Sequence, residues 1–528
     1  MGRVGLPAPI EELAARQWDA IVVGGGHNGL TTAAYLARAG KSVLVLEARE
    51  RLGGACTLER PFPDDRYLVS PCAYVVGLLD DLVVRELSLA KYGYRVFPAD
   101  PNLWCPFEDG TSFAEFIDSD RTAAHMRANG FSERDVAGLF AYEDLFDRIR
   151  LALRHGARGD TWLGSSPSRA QIEQALGEDE EMISVVFEQS IADTLARYVS
   201  DERLEHALFG QGIIGAFAGP RDPGTASVKL MHHQGDLLGL GSIWGYVDGG
   251  MGTVSFAIAQ AAHDAGASLA AGVPVARIVP GQGVEIESGE AIRARVVISN
   301  ADPKRTLAML SGAGLPQDFR ARLESWRVRS PVVKLNAGLR KLPTFDAAGA
   351  IEPHRAMVTI ASGLDAAQDA FEACKRGEPR IGFAELYFHS AYDASVAPPD
   401  RHTMSVFAQY APYELADGDW DSRRDEIEGA ILGAIGVYAP DIRECVEHSE
   451  LLGPPDIEQR VGLTGGQIFQ GEVLPDQMWE RRFDHRTPVE GLYMCGAATH
   501  PAGSVIALNG RNAAMAVLQD CGAAGPDP

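Results

Sequence analysis

A glycine run between an apolar strand and a helix limits what this chain can fold into more than any other feature. Asp19-Ala20-Ile21-Val22-Val23 is followed at once by Gly24-Gly25-Gly26-His27-Asn28-Gly29-Leu30. Periodicity reads Ala20–Val23 as a strand, Asn28–Ala39 as a helix stopped by Gly40, and Ser42–Leu46 as a second strand, a compact βαβ unit. In that setting Gly24 permits the tight strand-to-helix turn, and Gly26 lets the backbone approach a pyrophosphate. Gly29 allows helix to pack on strand, and the helix N-terminus offers unpaired N–H groups to phosphate. Glu47 ends the second strand 21 positions after Gly26, close to the roughly 20-residue interval of an acid that binds ribose hydroxyls. Pattern, strand, helix and acid together specify dinucleotide binding. A merely structural glycine turn leaves Glu47 unexplained.

The remaining composition narrows the class. With 528 residues, 46% of them hydrophobic, the chain exceeds one comfortable core, so two domains are expected. A formal net charge of −24 argues against nucleic acid and anionic membrane surfaces as partners. Seven scattered cysteines show no ligand or dithiol spacing, which points to a reducing compartment and small core thiols. Met1–Gln17 has no apolar leader-like run, and eighteen apolar residues never run together. The expectation is a soluble, cytoplasmic protein without a transmembrane segment.

Further along, Trp104–Phe113 reads as a hairpin turning on Asp109-Gly110, and residues 121–208 are mainly helical. A second α/β block runs from Gly249-Gly250-Met251-Gly252 through a helix to about Ala265. It continues with a strand Val273–Val279, a hairpin near Ser288-Gly289 and the apolar run Val296–Ile298. Strands are expected at Val332–Leu339 and Met404–Tyr410, with a helix near Ser422–Tyr438. The last unit is a strand Leu492–Cys495, a turn at His500–Gly503 and a helix to about Gln519.

After the acid, Arg51-Leu52-Gly53-Gly54 adds two glycines, as a longer cofactor such as FAD needs, and Arg51 is either a phosphate contact or a solvated arginine. Taken together, Gly24–Gly29, Glu47 and Arg51–Gly54 resemble the N-terminal signature of the phytoene desaturase and flavin amine oxidase superfamily. The segment Gly491-Leu-Tyr-Met-Cys-Gly496-Ala-Ala-Thr-His500-Pro501-Ala-Gly503 is similar to that superfamily's second FAD-contacting segment. Gly245–Gly252, Ser299–Pro303 and Leu463–Phe469 resemble its branch called pyridine nucleotide-disulfide oxidoreductase domain-containing protein 2. The resemblance spans residues 18 to about 518.

That resemblance implies FAD contacts at Gly24, Gly26, Asn28, Gly29, Glu47, Ala48, Arg51, Gly53 and Gly54, with Val275 at the adenine. It implies others at Gly496, Ala497, Gly503, Ser504 and Val505, where a helix N-terminus would favour negative charge on the flavin. The chain departs from the family's glycine-rich run in carrying Ala502 and Ser504, and in having Asn509 where a small residue is commoner. His500 is expected near the isoalloxazine, capping the helix or bonding the flavin rather than moving protons.

Other signals are weaker. Gly210-Gln-Gly-Ile-Ile-Gly215 repeats the glycine spelling, but it follows the charged Asp201–His206 and has no trailing acid, so it reads as a loop and no NAD(P) domain is evident. His232-His233 lacks partners at ligand spacing and reads as packing or surface. Trp244, Tyr246 and Phe469 are candidates for a substrate cavity or for ordinary core. No metal site or catalytic side chain is assigned.

The expected fold class is α/β, with a discontinuous Rossmann-type FAD-binding domain (18–75, 245–305 and 485–528) and an inserted mixed α+β substrate domain (76–244 and 306–484). The expected reaction is dehydrogenation (desaturation) of an apolar or amphipathic small molecule by hydride transfer to FAD, with reoxidation by oxygen, a quinone or another acceptor. A flavin amine oxidase and a non-catalytic lipid- or prenyl-binding chaperone on the same fold are the alternatives.

Overall fold

Five parallel strands carry the first sheet of the computed structural model, which describes residues 9–156, 159–310 and 314–522. Residues 1–8 of the Met1–Gln17 stretch and residues 523–528 of the 485–528 segment lie outside the described residues. In spatial order the strands are Ser268–Ala271, Val43–Glu47, Gln17–Val23, Ala291–Ser299 and Leu492–Met494. An antiparallel meander, Val275–Val279 and Gly283–Ile286, is added to the start of Ala291–Ser299.

Strand periodicity explains how both faces are covered. Ala20, Val22, Val43 and Val45 point into the core that holds the helix His27–Arg38 and its neighbours Gly252–Asp264 and Leu508–Asp520. Ile21, Val23, Leu44 and Leu46 point the other way, onto the meander and the short helix Ile10–Ala15. A strand covered on both faces reads as a continuous apolar run, which is why Val43–Leu46 was legible.

The second sheet has the order Val446–Leu452, Val332–Leu339, His402–Gln409, Phe383–Tyr387, Met357–Ala361, Leu103–Pro106 and Ser112–Glu115. All its pairings are antiparallel except that of Met357–Ala361 with Leu103–Pro106. Val333, Leu335, Ala384, Leu386, Met404 and Val406 face a core shared with the helix Trp420–Gly436. The opposite face carries Lys334, Asn336, Glu385, Ser405 and Gln409, all polar and mostly buried. Strands Met357–Ala361, Phe383–Tyr387 and Val446–Leu452 escape the sequence reading because polar residues such as Thr359, Glu385 and Glu450 interrupt the apolar pattern.

The α/β class agrees with the sequence reading, and the first sheet collects its strands from residues 17–47, 268–299 and 492–494. The hairpin turning at Asp109-Gly110 is present, as are the strands expected from Val332 and Met404. Most boundaries shift by one or two residues, and one shift bears on the site. The last helix starts at Leu508, because Ala502, Ser504 and Ala507 have positive φ of 143°, 79° and 67° and hold 502–507 in an irregular turn.

Two buried polar side chains tie segments that follow the first sheet's strands to the 464–477 stretch. Asp302, wholly buried, accepts from the Lys304 and Arg305 backbone N–H groups at 2.9 and 3.1 Å, capping the helix Pro303–Met309. Its other oxygen accepts from the backbone N and the hydroxyl of Thr464 at 3.1 and 2.8 Å. Arg482 is 1% exposed and donates to the carbonyls of Phe469, Glu472, Gln477, Ala497 and Thr499. It thereby binds the 469–477 loop to the segment that follows the last strand. Burial pushes its guanidinium down to about 9.

Replacing Arg482 with Lys keeps a cation but not the planar fork, and a single ammonium does not reach carbonyls on several sides. Orphaned buried acceptors each cost on the order of 1–3 kcal/mol. Arg482→Lys is therefore expected to lower stability by roughly 3 kcal/mol, read from urea unfolding followed by tryptophan fluorescence. An unchanged midpoint would show that the clasp is dispensable.

Candidate functional site

A cavity of about 500 Å³ opens where the parallel strands end. Its first wall is made by residues just past, or at, the C-terminal ends of those strands: Val23, Gly24, Gly26, Glu47, Ala48, Asn300, Ala301 and Ala497. This edge is where open α/β sheets bind ligands, because helix N-termini and turn amides converge there. The helix His27–Arg38 begins at the cavity with Gly26 as its cap, no side-chain cap and no acidic residue in its first turn. Its amides and positive end are left for an anionic group.

The glycines act as the sequence pattern demands. Gly24 has φ 103°. A Cβ on Gly29 would run into the Gly24 carbonyl, and one on Gly26 would lie 3.0 Å from Asn300 Nδ2. Gly54 joins the wall, and Gly53 pairs with Gly25 behind it through a backbone bond of 2.8 Å. Glu47 is 8% exposed, and its carboxylate accepts from the Gly25 amide at 2.7 Å and the Arg49 amide at 2.9 Å. Burial raises its pKa, and those two donors oppose the rise. Val275, with Pro274 and Glu287, lines the far side beyond Glu47.

The C-terminal segment contributes Ala497, Ser504 and Val505 to the wall, while Gly496 and Gly503 sit behind it against Gln470 and Phe469. Ala502 and Ser504 stand where the superfamily prefers glycine, and both carry the positive φ that glycine would adopt freely. Such conformations cost of order 1–3 kcal/mol each and gather at ligand clamps. Two buried polar atoms, His27 Nε2 and Asn28 Oδ1, have no hydrogen-bond partner among the described residues although both residues border the cavity. An anion-binding helix start, a bare glycine cradle, a placed acid and orphaned polar atoms fit FAD.

Other expected positions fall elsewhere. Arg51 is half exposed and donates to the Leu58 carbonyl, away from the cavity wall. His500 is buried outside the wall, its Nε2 2.8 Å from the Thr161 carbonyl and its ring stacked on Trp162 at 6.0 Å. Its one partner lies in the segment before Trp162, which turns it from the expected flavin-side position. The helix N-terminus expected beside Gly496–Val505 is absent there, since that helix starts at Leu508.

Trp244 and Phe469 line the cavity, whereas Tyr246 is buried outside it and stacks on Tyr392. His232 also lines the cavity, which corrects its reading as a packing or surface residue. Its Nδ1 donates to the Val228 carbonyl at 2.8 Å, so Nε2 is an acceptor, and burial pushes the imidazole down to about 4. The Gly210–Gly215 run is a short 3-10 turn and loop rather than a nucleotide turn, and it supplies Gln211 and Ile214 to the wall. Gly215 is held by Gln409 at 2.7 Å and Gln467 at 3.0 Å.

The second wall is the face of the second sheet turned away from the helix Trp420–Gly436, and it mixes apolar Val332, Met357 and Phe407 with Lys334, Glu385 and Tyr387. Lys334 and Glu385 both pair with Phe407, one from each neighbouring strand, so the three form a row. Lys334 is 2% exposed; its amine donates to Ser405 Oγ and lies 3.6 Å from the Tyr74 ring centre. Burial holds its pKa well below the ordinary lysine value, with no carboxylate close enough to restore it. Neither Lys334 nor Glu385 was legible in sequence, since each is a lone polar residue in a strand.

Comparison with known proteins identifies the family. The sequence pattern described as flavin containing amine oxidoreductase matches residues 147–518, and that of an NAD(P)-binding Rossmann-like domain matches 22–77. This chain belongs to the flavin-containing amine oxidoreductase family. It is 34% identical to the mouse pyridine nucleotide-disulfide oxidoreductase domain-containing protein 2, covering 96% of this chain and 94% of that one. It is 23% identical to a lycopene-forming phytoene desaturase of a Paracoccus species, over 96% and 98% of the two chains. The structure of wild-type putrescine oxidase bound to putrescine superposes with a TM-score of 0.59 at 16% identity, over 96% and 99% of the chains. The family member described here is an FAD-dependent oxidoreductase with a Rossmann-like dinucleotide fold. Among its described residues, no helix is long and apolar enough to cross a membrane.

Glu47→Ala is expected to weaken FAD binding at least tenfold while the chain stays folded. Charge-assisted hydrogen bonds are worth about 1.5–3 kcal/mol, and tenfold is about 1.4 kcal/mol. Flavin retained after dialysis, measured against circular dichroism of the same sample, checks both halves. Full retention would remove Glu47 from the ribose site.

Proposed function

We propose that this protein dehydrogenates an apolar or amphipathic small molecule. The observation that carries the reading is the continuity of one cavity, from the glycine cradle at Gly24–Gly26 to the wall of Val332, Met357 and Phe407. FAD, when bound, supplies the two-electron acceptor that takes a hydride from the substrate. Gly24, Gly26, Asn28, Glu47, Ala48, Gly54 and Val275 would hold its nucleotide half, and Ala497, Ser504 and Val505 its flavin half. Gly29, Gly53, Gly496 and Gly503 would act from behind, by letting those segments pack closely.

The remaining residues prepare the substrate. Trp244, Phe469, Ile214, Ile468 and Phe407 give apolar contact and exclude water, which holds a C–H bond in position and suppresses side reactions. His232, neutral with Nε2 as acceptor, and Lys334, whose charged form burial disfavours, present hydrogen-bonding groups to the cavity. The likeness to a phytoene desaturase supports desaturation, and the fold shared with putrescine oxidase keeps amine oxidation as the second reading.

Reducing equivalents are expected to come from the substrate and not from a nicotinamide, because Gly210–Gly215 forms no second nucleotide turn. Stopped-flow mixing of oxidised holoenzyme with NADH or NADPH under argon should leave the flavin yellow, whereas an apolar or amphipathic substrate should bleach it. Fast, saturable bleaching by either nicotinamide would make a reductase the better description.

A further inference from the structure

Glu385 stands out on the cavity face of the second sheet. Its side chain is 3% exposed, yet it borders the cavity. The Tyr387 hydroxyl donates to Oε2, and no hydrogen bond reaches Oε1 among the described residues. A buried carboxylate ordinarily collects several donors, because water is not there to solvate it. Here one oxygen is supplied from within the fold and the other is left to whatever enters the cavity.

The neighbours do not neutralise it. Tyr387 and Tyr74, whose rings lie 4.5 Å apart, cover one side, and Tyr246 lies behind. Lys334 is in the same row but beyond Phe407, and its amine is turned to Ser405 and Tyr74. Ser405 in turn donates to Asn336 at 3.1 Å, and Asn336 to the Pro71 carbonyl at 3.2 Å, so that network closes on itself without Glu385. The row thus presents an apolar ring, Phe407, beside one carboxylate with a free oxygen. A wholly apolar occupant would leave that oxygen dehydrated and unpaired.

We propose that Glu385 is the head-group site of the substrate cavity, its carboxylate taking the O–H or N–H donor of an otherwise apolar molecule, an alcohol or an amine. The inference rests on the cavity being the substrate chamber, and it makes Glu385 a specificity-determining residue. A site built around a donor rejects analogues that lack one, because its own polar group is then left unpaired. Burial pushes the Glu385 carboxyl up to about 7, and the Tyr387 hydroxyl opposes that rise. The group is therefore charged above about 7 and protonated below, so donor binding should strengthen as pH rises through that value.

The test uses FAD-loaded protein and three probes with the same apolar chain: 1-aminohexane, 1-hexanol and 1-methoxyhexane. Binding is read from the perturbation of the visible flavin spectrum at pH 8, without turnover. At least one of the two donor probes should bind tenfold or more tightly than the methyl ether, and which one does so separates amine from alcohol. Glu385→Leu should abolish that preference while raising ether affinity. Glu385→Gln, whose bound FAD per chain confirms folding, should keep part of the alcohol preference and lose the dependence on pH between 6 and 8.

Equal binding of all three probes, binding of none, or a preference unchanged in Glu385→Leu would overturn the assignment. If the donor preference appears and depends on Glu385 but no substrate ever reduces the flavin, the head-group site stands and the dehydrogenase reading falls.

Discussion

A buried guanidinium holds the cavity in shape. Arg482 donates to carbonyls of two separate stretches, the loop that carries Phe469 and the segment that carries Ala497. Both Phe469 and Ala497 border the cavity, so one side chain fixes the spacing of an apolar wall and a cofactor wall. Asp302 likewise joins the helix after the fourth parallel strand to Thr464. Both contacts work by giving buried polar groups the partners they lose on leaving water, and so the 464–477 segment is held against the ends of the parallel strands by hydrogen-bond completion as well as by apolar packing.

The two walls of the cavity follow opposite electrostatic designs. Around the glycine cradle, amides and a helix start supply partial positive charge for phosphates, and Glu47 supplies a carboxylate whose oxygens already accept backbone bonds. On the other side, burial disfavours the charged form of Lys334 and pushes His232, at the end of the helix Thr225–His232, down to about 4. Glu385 is the carboxylate of that wall, set among apolar groups such as Phe407 and Met357.

What was legible in sequence follows from how local each signal is. The first βαβ unit could be read because strand, turn, helix and acid lie within thirty residues and each obeys a local rule. The C-terminal segment was found by resemblance, but its conformation was not, since Ala502, Ser504 and Ala507 adopt backbone angles that only tertiary packing enforces. His500 was misplaced for a related reason, because its partner Thr161 is more than three hundred residues away. Lys334 and Glu385 were invisible, as strand alternation names a face but does not say which face meets a cavity. Gly210–Gly215 illustrates the converse, a familiar spelling whose glycines answer to close neighbours, among them Phe383 and Ile191, rather than to a phosphate.

The order of strands in the first sheet also bears on how the protein is made. Gly24 and Ser504 share one cavity but stand 480 residues apart in the chain. A nascent chain can form the glycine turn and place Glu47 long before the strand Leu492–Met494 and the turn after it emerge from the ribosome, 445 residues after Glu47. Until then the cradle has a roof and no floor. The cavity is therefore complete only once Ala497, Ser504 and Val505 have been made and folded against the glycine turn.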